Sequence, residues 1–207
     1  MVQKESQPER RPRGRPRSFD ADEVLEKAKA VFWNLGYDAA SLDDIAAATG
    51  LNRPSLYAAF GDKHALYMAA LGRTRAGAVA AMRAMMGREG RLRDVLSDLF
   101  AGAIGAYVVG DVGQRGCFII GTAVTPAVDD LGARDMLTGF IADEDALFQE
   151  RFARSGNELA AGVTPQGAAM LATAALHTLA IRARTGEGRE ALARVAEAAV
   201  GAICGPD

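Results

Sequence analysis

The residues that most constrain this chain are Ser41 to Phe60, SLDDIAAATGLNRPSLYAAF, two short apolar-periodic runs hinged on one glycine. Leu42, Ile45, Ala46 and Thr49 recur at helical spacing on the first run, and Ser41 with Asp44 forms a capping-box pattern at its start. Gly50 follows at once. A helix pair that turns this sharply needs a positive φ at the corner, which glycine adopts without steric cost. Asn52 then reads as the next N-cap, and Pro54 falls early enough in the second run to be tolerated. Ala46 and Ala47 allow close approach, while Leu42, Ile45, Leu51 and Leu56 fill the wedge. The spacing is that of a helix-turn-helix; an ordinary αα-hairpin satisfies the same apolar positions.

The flanking chain continues the helical pattern. Asp20 is a candidate N-cap, with Glu23 three residues on, for a helix whose inner stripe is Val24, Ala28, Val31, Phe32 and Leu35, stopped by Gly36. Asp62 caps a fourth helix from Lys63 to about Met86. Further helices are predicted over Leu92–Val109, Cys117–Thr125, Ala133–Ser155, 164–185 and 189–203, with glycine-rich GDVGQRG between the first two. Alanine, the best helix former, is abundant throughout, and no alternating apolar–polar run with a hairpin turn is present. The fold is therefore expected to be all-α: a basic arm over 1–17, an N-terminal three-helix domain with the helix-turn-helix over 18–78, and a C-terminal helical domain over 79–207.

Charge is unevenly placed. Lys4, Arg10, Arg11, Arg13, Arg15 and Arg17 face only Glu5 and Glu9, so 1–17 carries +4 within a chain of net −2. This segment is too polar and proline-rich to fold alone. It reads either as a solubilising tail or as an arm for nucleic acid. Arg13-Gly14-Arg15-Pro16-Arg17 resembles an AT-hook core, a flat cationic strip suited to a narrow A·T minor groove. From Ser18 to His64 the balance is four basic against eight acidic, or −4. As an arm for nucleic acid, the segment is expected to supply a large part of the nonspecific attraction to DNA.

Three features favour the helix-turn-helix over the plain hairpin. The third helix is too short to serve in a bundle, its outward positions Arg53, Ser55, Tyr57 and Ala58 are polar or small, and the basic arm lies just upstream. Such a helix enters the major groove with its N-terminal residues leading.

Residues 18 to 72 resemble the DNA-binding domain of the tetracycline-repressor (TetR) family. The resemblance is carried by F-x-x-x-G-Y, S-L-x-D-I-A-x-A-T-G-L and S-L-Y-x-x-F-x-D-K. It implies that Tyr57 and Lys63 meet DNA phosphates and that Asn52, Arg53 and Ser55 lie at the groove, Arg53 being best equipped to read guanine. Ser41 and Thr49 become phosphate candidates, Ser41 being equally well explained as a cap. His64 is either a further phosphate contact or a solvated surface histidine, Phe60 a packing residue and Trp33 a core or domain contact. The arm adds Arg13, Arg15 and Arg17. The resemblance further implies a homodimer on a palindromic operator. Met170, Leu171, Ala174, Ala175, Thr178 and Ile181, with Leu192, Val195, Ala199 and Ile203, would form the interface.

A C-terminal effector site is implied by the same resemblance, with a small apolar effector and candidate residues Tyr107, Cys117, Phe118, Thr122, Met136, Phe140, Phe148 and His177. Each also reads as plain core. Cys117 follows Gln114-Arg115-Gly116 and opens a predicted helix, a setting that lowers a thiol pKa. An electrophile- or redox-sensing repressor acting through Cys117 is therefore an alternative, as is a DNA-binding protein with no effector. Cys117 and Cys204 make no disulfide framework, and two distant histidines, His64 and His177, offer no metal spacing. No cofactor is expected. No nucleophile–base pair or phosphate loop points to an enzyme. No apolar stretch reaches the roughly 20 residues that span a membrane, and the expectation is a cytoplasmic protein.

Overall fold

The computed structural model describes residues 19–108 and 115–205. These contain helices and no strand: α1 (Ala21–Leu35), α2 (Leu42–Thr49), α3 (Arg53–Phe60), α4 (Lys63–Met86), α5 (Leu92–Tyr107), α6 (Phe118–Ala123), α7 (Leu131–Arg154), α8 (Pro165–Arg184) and α9 (Arg189–Cys204), with short 3-10 turns at Pro126–Val128 and Gly156–Glu158. The arm 1–17, with Arg13, Arg15 and Arg17, lies outside the described residues.

The expected boundaries hold within two residues for most helices. Two local readings are corrected. Asp20 does cap α1, accepting from the Asp22 N–H, but Glu23 makes no capping box and instead pairs with Lys27 at 2.7 Å. The helix predicted over Cys117–Thr125 is shorter, because Pro126 lacks an N–H and the chain tightens there into a 3-10 turn.

Two apolar cores form. The first joins Val24, Ala28 and Phe32 of α1, Ile45 of α2, Leu56 of α3 and Leu66, Tyr67 and Leu71 of α4. It also takes in Phe118, Ile119, Ile120 and Ala123 of α6 and Phe140 of α7. The second packs α5, α7, α8 and α9 around Phe100, Phe148, Phe152 and Leu179, with the end of α4 contributing Met82 and Met86. The expected division near residue 78 thus falls within the unbroken α4, and the first core extends beyond it into α6 and α7.

Specific polar contacts fasten the two halves. Trp33 Nε1 donates to Arg115 O at 3.0 Å, and its ring meets Phe118 edge-on at 6.0 Å. Arg184 Nη1 donates to Trp33 O at 3.2 Å. Gly116 sits at φ 66, where an added Cβ would lie 2.2 Å from Ala180 O. Only glycine lets the chain entering α6 lie this close to α8.

On α8 and α9 the expected apolar face divides. Met170, Leu171 and Ile181 are 62%, 49% and 56% exposed. Leu192 and Ile203 are fully buried and Ala175 nearly so, all within the second core. These three are removed from the expected intersubunit face, because Ala175 on α8 and Leu192 and Ile203 on α9 point into the core of their own chain.

Candidate nucleic-acid interface and effector cavity

The helix-turn-helix is built as its residues dictate. Ser41 Oγ accepts from the Asp44 N–H and Asp44 Oδ2 accepts from the Ser41 N–H, a complete capping box. Gly50 closes α2 at φ 74 in the left-handed region. Asn52 Oδ1 caps α3 by accepting from the Ser55 N–H at 2.9 Å. Leu56 is the buried side of α3, while Asn52, Arg53 and Tyr57 are exposed, Tyr57 by 51%. A helix of this length with its N-terminal residues outward can lead into a major groove.

Ser55 is half-buried at the same helix end, and four expected DNA contacts, Arg53, Thr49, Lys63 and His64, are engaged within the chain. Arg53 forks onto Asp43, its Nε donating at 2.5 Å and its Nη2 to the second carboxylate oxygen. The guanidinium holds the Asp43 carboxyl below its usual range. Thr49 Oγ1 donates back to Ile45 O at 2.7 Å and accepts from the Leu51 N–H, so it shapes the turn. Lys63 departs furthest from expectation. Its ammonium donates to the carbonyls of Tyr37 at 2.9 Å, Ala40 at 3.1 Å and Asp38 at 3.4 Å, and lies over the Tyr37 ring. It closes the loop between α1 and α2 instead of standing free for phosphate. His64 is neither free nor purely solvated: its Nε2 lies 2.6 Å from Asp130 Oδ2, linking the start of α4 to α7. The Ala133 N–H and then His64 hold the Asp130 carboxyl low.

A cavity of about 730 Å³ opens between α1 and the C-terminal helices. Four of the eight expected ligand residues line it: Tyr107, Cys117, Phe118 and Phe140. The other four do not. Thr122 is buried against Tyr67, whose hydroxyl lies 3.0 Å away. Phe148 stacks on Phe152 in the second core. Met136 packs against α4 at Gly72. His177 stands behind the wall, its Nε2 2.7 Å from Glu144 Oε2.

Glu144, Trp33 and Met82 line the cavity without having been expected there. Glu144 left a signal in the sequence. It lies four residues after Phe140 and three and four before Leu147 and Phe148, an acid on the inward stripe of α7. Burial pushes its carboxyl above the ordinary range, against the pull of His177.

Cys117 contradicts the low-pKa expectation. It is the N-cap of a six-residue helix, and burial pushes its thiol up to about 11. Desolvation of the thiolate outweighs the helix N–H groups that would favour it.

The likeness to known proteins follows this geometry. Residues 24–70 match the model for bacterial regulatory proteins of the tetR family. The chain is 38% identical over 118 residues to the HTH-type transcriptional repressor ComR of Escherichia coli (strain K12), covering 56% of each protein. It is 31% identical over 111 residues to the HTH-type transcriptional regulator YezE of Bacillus subtilis (strain 168), covering 54% of this chain and 57% of that protein. The match therefore spans about half the length of these curated relatives. Nearly the whole chain is similar in structure to the TetR family transcriptional regulator CifR, solved as a cysteine mutant with a 26-bp double-strand operator DNA. That similarity has 32% identity and a TM-score of 0.80 over 91% of this chain and 99% of that one. The reduced form of NemR from E. coli shares the fold at 16% identity and TM-score 0.74, over 88% of this chain and 96% of that one. The capped helix-turn-helix, the all-helical C-terminal half and these matches place the chain together: it belongs to the TetR family of bacterial regulatory proteins.

Proposed function

We propose that this chain is a homodimeric, DNA-binding transcriptional repressor of the cytoplasm, without enzymatic activity, released from a palindromic operator by a small molecule. The observation that carries the reading is the exposed N-terminal end of α3, with Asn52, Arg53, Ser55 and Tyr57, on a helix-turn-helix within a fold shared with CifR, which was solved with operator DNA. Two such helices, presented by a two-fold dimer, read half-sites one helical turn apart. The arm 1–17 supplies the positive charge that the body around the motif lacks. The cavity supports effector control over an effector-independent DNA-binding protein, since a fully packed C-terminal half would leave no volume for a ligand. Its size suits a small organic molecule. The thiol reading has less support, because Cys117 is held protonated by burial.

The test is selection of bound sequences from random duplex DNA, followed by footprinting. A protected palindrome near a promoter, with transcription falling on binding, is expected. A chain without residues 1–17 should bind it more weakly and with a flatter salt dependence. Failure to enrich any sequence, or enrichment of sites without two-fold symmetry, would overturn the dimeric reading.

A further inference from the structure

The cavity carries its own charge account. At the mouth stand Glu26, Lys29 and Arg73, which together with Asp22 balance in charge. Lys29 Nζ lies 2.9 Å from Glu26 Oε2, and Arg73 pairs with both Glu26 and Asp22. Deeper in, Thr74 spends its hydroxyl on Ala70 O at 2.8 Å. Burial keeps the Cys117 thiol and the Tyr107 phenol protonated. Glu144 differs from all of these. It is only 4% exposed, it comes from the apolar stripe of α7, and His177 engages one of its oxygens. The other oxygen, Oε1, has no hydrogen-bond partner among the described residues. Glu144 lines the cavity, so this acceptor is available to a donor on an occupant.

The walls around that oxygen are aromatic. Trp33, Tyr107, Phe118 and Phe140 line the same space, and the Trp33 ring already accepts cations at its edge of the cavity, with Lys29 Nζ 5.6 Å from its centroid. Aromatic faces and one carboxylate oxygen form a complementary site for a cation with an apolar body. An anionic molecule would bring a second negative charge to a desolvated carboxyl, and both mouth cations are paired; Arg115, 5.7 Å from the Trp33 ring centroid and with an unpartnered Nε, is not among the lining residues.

We propose that the effector of this chain is an apolar amine. Its hydrocarbon body lies against Trp33, Tyr107, Phe118 and Phe140, and its protonated nitrogen donates to Glu144 Oε1. The proposal rests on the effector reading given above. Glu144 is the polar anchor, and His177 is a positioning residue that holds the carboxylate from behind. Because Trp33 belongs to α1, an occupant of this space presses directly on the helix that backs the helix-turn-helix.

Trp33 is the single tryptophan of the chain, so its fluorescence reports binding in the intact protein. The probes are phenylbutylamine, the matched alcohol phenylbutanol and the matched acid phenylbutyrate, each titrated into the full chain with calorimetry in parallel. The amine should bind about tenfold or more tighter than the alcohol, as a charge-assisted hydrogen bond exceeds a neutral one. The acid should bind weakest. Glu144→Gln should bring the amine down to the affinity of the alcohol, and Glu144→Asp should keep the preference in part; circular dichroism of both variants checks that they fold. Equal binding of amine and alcohol by the wild type, tighter binding of the acid, no binding of the amine, or an undiminished amine preference in folded Glu144→Gln would each overturn the proposal. Operator release in the same titrations separates the two readings. An amine that binds through Glu144 without loosening DNA defeats the effector reading alone. A probe that loosens DNA without amine preference defeats the Glu144 assignment alone.

Discussion

Arg53 shows how a recognition residue can be present and yet engaged. Its guanidinium fork fits the bidentate acceptor pair of guanine, and it fits a carboxylate equally well. In the free protein the fork rests on Asp43, one helix earlier. Both side chains are exposed, so the pair is weak and exchangeable. Binding a base through Arg53 requires that Asp43 be given up. Asp43→Asn should therefore tighten binding to the selected operator by about two- to fivefold, the range expected for release of an exposed ion pair. Arg53→Ala should weaken it by roughly ten- to hundredfold and relax selectivity at one base pair. Fluorescence anisotropy on the operator and on single-base variants measures both. Unchanged selectivity in Arg53→Ala would remove this residue from base reading. The spacing of the sequence made Arg53 visible, but not Asp43. The two stand ten residues apart and meet only because the turn at Gly50 folds α3 back across α2.

At the scale of elements, Lys63 ties together what the turn alone would leave loose. Three carbonyls follow the end of α1, and the ammonium gathers them. Hydrogen bonds from a charged donor are among the stronger ones, about 1.5–3 kcal/mol. Lys63→Met should lower stability by about that amount, read from urea unfolding, while leaving the slope of log affinity against log salt unchanged. A slope reduced by about one, with stability intact, would return Lys63 to the phosphate contacts. The motif D-K could be read from the sequence as an anion-binding helix start. The competing use could not, because the acceptors are main-chain oxygens that no residue type announces. The same reason hid the engagement of Trp33, whose indole donates to the carbonyl of Arg115. Cys117 went the other way. Its neighbours in sequence are those of a reactive thiol, but the fold buries it and raises its pKa.

For the molecule as a whole, the exposed stripe on α8 is an apolar surface that a single chain leaves unburied. Met170, Leu171 and Ile181 stand on one side of a helix whose other side is core. Exposed apolar side chains aligned on one helix face mark an interaction surface. Met170→Glu with Ile181→Glu should convert the proposed dimer to a monomer in light scattering and reduce operator affinity by orders of magnitude, since two half-sites must then be held independently. A doubly substituted chain that remains dimeric would place the interface elsewhere. The cavity belongs to this scale too. It is walled by α1 and by five helices or helix starts of the remaining chain, so a ligand inside it touches both cores at once.

By itself the sequence determined the helices, their caps and the corner at Gly50. These depend on residues within four positions of one another, and local spacing carries that information. It also determined the outward polarity of α3 and the basic arm. Tertiary structure alone decided which polar groups are free. Arg53 met Asp43, Lys63 met three carbonyls and His64 met Asp130 across gaps of ten to sixty-six residues. It decided as well that the cavity keeps an open acceptor at Glu144. Partner choice between distant groups depends on which surfaces pack, and burial sets the dielectric in which each charge is held. The helix-turn-helix could therefore be read from twenty consecutive residues, whereas the chemistry of the cavity became visible only when α1, α5 and α7 were brought together.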